Sequence, residues 1–245
     1  MDSHYISLVS GYSSVVGLWF LLNYKFPSIW KEAEKIDFKK PFLEFIFALL
    51  TVLVILLIGQ LYIQGLLIKS NGNDFLDALN QFIIFSPVFF LLLIRKQSVK
   101  TVWLSKTNIV IHLFLGLLLA FFGILIYWLT RSDSNNFTNI IINIYNYKNI
   151  SHLVQVFMED ITIALVFVRL SAWIGNKRSI ILVSVLFAVS HIPSFIAEGA
   201  SLMQLSSLFL DTFIGVIVFF ALSRSRDILW FFMVHFAMDM TQFYG

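Results

Sequence analysis

The chain has 245 residues, of which 59% are hydrophobic and only 13% charged, with a mean hydropathy of +0.86. Soluble domains carry about 25% charged residues, so this composition excludes an ordinary soluble core and describes a polytopic membrane protein. Cysteine is absent, which excludes disulfides, thiolate catalysis and cysteine-ligated metal centres, and the net charge of +3 does not point to nucleic acid, because the basic residues follow the loops.

A hydrocarbon core of about 30 Å needs about 20 apolar residues per helix. On that measure the sequence predicts an all-α membrane bundle of about eight spans: 5–24, 42–68, 79–94, 108–130, 153–174, 179–197, 204–222 and 228–244. The N-terminal segment lacks the basic start of a cleavable signal peptide, so Tyr5–Tyr24 is taken as the first span. Lys25–Pro41 is a mixed-charge stretch expected to form an interfacial helix. The third span holds Ser86-Pro87, where a kink is expected because proline removes an amide donor. Between spans four and five, Arg131–His152 is an Asn-rich loop, in which Asn136 and Asn149 begin triplets matching the glycosylation pattern.

Lys25, Lys31, Lys35, Lys39 and Lys40 follow the first span; Arg95, Lys96, Lys100 and Lys106 the third; Lys177 and Arg178 the fifth; Arg224 and Arg226 the seventh. The opposite side has only Lys69, Arg131 and Lys148. The positive-inside rule therefore puts the richer side in the cytoplasm and both termini outside it, in a multi-pass protein of the cell membrane. One membrane domain fills residues 1–245, with 1–152 read as scaffold and 153–245 as the region that carries chemistry.

That division comes from ionisable residues, which are costly inside a bilayer and are functional candidates by default. Glu159, Asp160 and Arg169 fall on the fifth span, His191 on the sixth, Asp211 on the seventh, and His235 with Asp239 on the eighth. Glu44 and His112, within about a turn of cytoplasmic ends, are expected to snorkel, as is Arg169. Asp211 fits no motif. His235 and Asp239 are four residues apart and share a helix face; Phe187 and His191 have the same relation, with Pro193 ending or bending that helix. A carboxylate with two histidines can act as a general base with hydrogen-bond donors, or hold a metal.

Glu159-Asp160, the F-x-x-x-H of Phe187–His191 and the H-x-x-x-D of His235–Asp239 resemble, in order and spacing, the CPBP intramembrane proteases. This family, also called Abi, contains CAAX prenyl endopeptidases and bacteriocin-processing or immunity proteins. The resemblance covers about Val154–Gly245 and includes the SRDILW lead-in to the last histidine. The first motif, E-E-x-x-x-R in the family, reads E-D-I-T-I-A here, with Ala164 in the arginine's place.

The resemblance implies a membrane-embedded hydrolase acting on a peptide or membrane-protein substrate in the lipid bilayer, for peptide processing or bacteriocin immunity. Glu159 would activate water and Asp160 assist it. His191 and His235 would position the water and stabilise the oxyanion, and Asp239 would orient His235 or accept from substrate. Two histidines and a glutamate also make a zinc-like set of Glu159, His191 and His235, but without H-E-x-x-H spacing the metal-free version is favoured. The alternative is a non-catalytic immunity or regulatory protein of the same fold that binds a peptide or membrane partner. A proton-coupled transporter is disfavoured, since the polar residues occupy one half of the chain rather than paired halves.

Overall fold

The computed structural model describes residues 3–30, 36–104, 107–131, 136–190, 192 and 207–244. Among these are ten α-helices and no strand. They are α1 Ser3–Lys25, α2 Pro41–Ile63, α3 Asp74–Phe85, α4 Pro87–Ile94, α5 Ile109–Thr130, α6 Phe137–Ile144, α7 Ile150–Ile174, α8 Asn176–Ser190, α9 Ser207–Ser225 and α10 Leu229–Tyr244.

Four of them, α1, α2, α5 and most of α9, are long and apolar enough to cross a membrane, and α3 with α4 makes a fifth span if the bent pair counts as one. The bend is 40° and falls at Ser86-Pro87, as the missing proline amide dictates. Of the other predicted spans, α7 carries Glu159, Asp160 and Arg169. The helices α8 and α10 have 15 and 16 described residues, about 22–24 Å at 1.5 Å per residue. The chain is a multi-pass helical membrane protein in which α7 and α10 are largely buried among their neighbours, whereas α8 keeps an exposed apolar face that includes Ile181, Leu182, Leu186 and Val189.

Helix α7 lies at the centre. It packs against α2 and α3 on one side and α8 and α10 on the other, while α10 lies along α5 and α5 along α1. Glycines permit the closest approaches. A Cβ at Gly116 of α5 would lie 2.6 Å from the carbonyl oxygen and 2.7 Å from the Cα of Trp230 on α10, so only hydrogen fits there. Gly116→Ala should therefore push α10 outward and destabilise the fold by about 1–3 kcal/mol, the usual cost of overpacking. A lowered thermal midpoint of the detergent-solubilised protein checks this; an unchanged midpoint would show that the two helices separate freely.

Three residues expected to snorkel are instead buried. Glu44 accepts from Arg95 Nε at 3.2 Å and from Gln97 Nε2 at 2.8 Å, and is 4% exposed. Arg169, fully buried, donates to Gln97 Oε1 and, at 3.1 Å and 3.3 Å, to the carbonyls of Leu165 and Thr101. Its guanidinium also lies over the Phe38 ring. His112 Nδ1 sits 2.8 Å from Asp227 Oδ2, close enough to pair as ions but oblique for a linear hydrogen bond. Each of these charges meets a partner from an element distant in sequence. Burying them singly would cost several kcal/mol, roughly, so the network also selects one arrangement of α2, α4 and α7.

Candidate active site

The last helix sets the depth of the site. Helix α10 begins within the bundle: Asp227, 2% exposed, caps it by accepting from the Leu229 amide at 3.0 Å, and the Ile228 amide donates to the Trp103 carbonyl at 3.1 Å. The segment around Val99–Val102 thus tucks beneath α10. Counted from the ends of the helices, His235 and Glu159 would sit at different depths. The inset start of α10 brings His235 level with Asp160.

These two form the core of the site. His235 Nδ1 and Asp160 Oδ1 are 2.8 Å apart, and the aspartate side chain is 2% exposed. Asp160 accepts from Nδ1–H, which leaves Nε2 as the nitrogen available to a ligand. The imidazole stacks on Phe231 with ring centroids 5.3 Å apart and makes a T-shaped contact with Phe187 at 6.3 Å. These ring contacts and the hydrogen bond at Nδ1 limit its rotation.

Both residues line a narrow, partly open cavity of about 40 Å³. Its walls are apolar and include Ile163, Ala164, Ile214 and Phe219. Ala164, at the position where the resembling family has arginine, contributes a methyl group to this wall. Tyr12 of α1 and Trp103 also line it. The N-terminal half is therefore more than support, and nothing local in the sequence marks those two aromatic residues.

Glu159 stands next along α7, half-buried, and accepts from Gln155 Nε2 at 2.9 Å. It lies within Coulombic range of His235 and Asp160 without itself lining the cavity. Asp239 is not the hydrogen-bond partner of His235. Its Oδ2 meets His152 Nε2 at 2.5 Å and its Oδ1 accepts from Gln242 Nε2 at 2.7 Å. The reason is geometric: residues four apart on a helix share a face, but a facing helix offers each of them a partner head-on. Asp211 lies half-buried on α9. His191 and Pro193 fall outside the described residues.

His152 and Gln155 escaped the sequence reading because they sit at the junction with the Asn-rich loop. The signal was present: His152, Gln155 and Glu159 stand at i, i+3 and i+7, one stripe of α7. Among the described residues no three His, Asp or Glu side chains converge to hold a metal ion. The segment before α7 packs against the end of the site where His152 and Asp239 lie. Tyr145 is packed against Phe121 and Phe236, and burial pushes its hydroxyl up to about 12, so it stays a neutral phenol. Tyr244 at the end of α10 donates to Asn149 Oδ1 at 3.2 Å.

No curated protein and no solved structure matches the chain. A family model does, and it covers the part of the chain that carries the site: residues 150–241, spanning α7 to α10, match the model described as type II CAAX prenyl endopeptidase Rce1-like.

Proposed function

We propose that the chain is an intramembrane endopeptidase that hydrolyses a peptide or membrane-protein substrate with a water activated by Glu159. The observation that carries the reading is the buried Asp160–His235 pair at 2.8 Å, opening on an apolar cavity within the helical bundle. Glu159 takes a proton from water as the oxygen adds to the scissile carbonyl. His235, held by Asp160, presents Nε2 to the developing oxyanion, and Glu159 returns the proton to the leaving amine as the C–N bond breaks. Preorganised donors act most strongly in a low-dielectric site, and the cavity beside His235 is lined by apolar side chains, Phe187 and Phe231 among them. His191 is assigned the second donor by its place in the F-x-x-x-H motif. Asp239 supports the site through its own helix.

In this reading the chain crosses the membrane eight times with both termini outside the cytoplasm, supported by the alternation of basic loops. The test is cleavage of a membrane-anchored peptide by the purified chain in liposomes, with and without a chelator. Cleavage that survives the chelator supports the metal-free route. Cleavage lost on chelation and restored by zinc would move Glu159, His191 and His235 into a metal-ligand role. No cleavage of any peptide in a broad library would favour the non-catalytic binding protein.

A further inference from the structure

Helices α7 and α10 meet through two reciprocal pairs. Asp160 on α7 faces His235 on α10, and His152 on α7 faces Asp239 on α10. The second pair sits one step outward, with its side chains 25% and 30% exposed, whereas the first is almost sealed. Each helix thus contributes one acid and one histidine.

We propose that His152 is a positioning residue of this site: its bond to Asp239 pins α10 against α7 and so fixes the register in which Asp160 meets His235. This deepens the peptidase reading and rests on it for the choice of site.

Three observations carry it. Both carboxylate oxygens of Asp239 are engaged, Oδ2 by His152 and Oδ1 by Gln242, so the acid is itself immobilised and makes a firm anchor. The His152 ring is packed at 6.2 Å from Phe236 and 6.1 Å from Phe243, both on α10, so its imidazole binds that helix by contact as well as by hydrogen bond. And α7 meets α10 over a short stretch of each, while α10 packs mainly along α5. With so little shared surface, the two polar pairs fine-tune how α10 sits against α7, within the limits set by its packing on α5 and the Ile228–Trp103 hydrogen bond. Asp239 and His235 are four residues apart, so a shift of Asp239 is transmitted to His235 through about one rigid helical turn.

Two variants of the full chain separate the pin from simple packing. His152→Phe keeps the ring contacts with Phe236 and Phe243 and removes the hydrogen bond. His152→Gln keeps a donor near the position of Nε2. The first readout is the ring 15N signal of His235 in selectively labelled protein, which reports the Asp160 hydrogen bond whether or not a substrate is known. The second is the split between kcat and KM for peptide cleavage.

The expected result is that His152→Phe moves the His235 signals and lowers kcat by about 10²-fold, the scale on which misplacing a catalytic group by an ångström acts, with KM little changed. His152→Gln should keep both near the parent. Unmoved His235 signals in folded His152→Phe would overturn the proposal. So would a His152→Gln variant as impaired as His152→Phe, since the donor would then be irrelevant. A parent protein that cleaves no peptide sinks the peptidase reading alone, because the ring signals still decide whether His152 sets His235.

Discussion

Glu159→Gln is expected to abolish peptide hydrolysis while leaving the protein at normal abundance in the membrane. Glutamine keeps the length and planarity of glutamate and retains a carbonyl oxygen for the amide of Gln155, the 2.9 Å partner of Glu159. Helix α7 should therefore keep its packing. The lost property is basicity. Removing a general base costs about 10²–10⁴-fold, and a side chain that alone accepts the water's proton belongs at the top of that range. The measurement is single-turnover cleavage in liposomes, normalised to protein in the bilayer. A binding protein of the same fold behaves differently: the isosteric change would be nearly silent, while a bulky replacement of Ala164, in the cavity wall, would hurt most. Full activity in Glu159→Gln would refute the protease reading.

Much of this was legible in the residues. The apolar runs and basic loops locate α1, α2, α5 and α9, and Pro87 locates the bend. The acids and histidines point to the late helices. Depth and partnership were not legible. Arg169 reads as a residue near a helix end, and a free end would let it snorkel; the fold instead closes Gln97 and Thr101 over it, from a segment some 70 positions earlier in the chain. Likewise Asp239 reads as the partner of His235 because they share a helix face, whereas cross-helix packing gives each a different partner. His152 was hidden by its place beside a polar loop, although its spacing from Glu159 was visible. Tyr12 and Trp103 reach the cavity only through long-range packing, which no local pattern encodes.

That packing also changes the weight of Asp160. As the position where the first motif departs from a second glutamate, it reads as the more tolerant acid. Buried against His235 at 2.8 Å, it becomes the group that sets the ring's tautomer and compensates positive charge on it. Asp160→Asn is therefore expected to cost nearly as much as His235→Ala, each about 10²–10⁴-fold in kcat. The amide can still accept from Nδ1–H, but it carries no charge to stabilise an imidazolium. It can also turn its NH₂ toward Nδ1, which places the proton on the wrong nitrogen, the failure that follows when the aspartate of a serine-protease triad is made asparagine. Because the two side chains act as one unit, the double variant should be no worse than the poorer single one. Penalties that multiply in the double variant would mean that Asp160 and His235 act separately. A silent Asp160→Asn would mean that the Phe231 and Phe187 rings alone hold His235 in place.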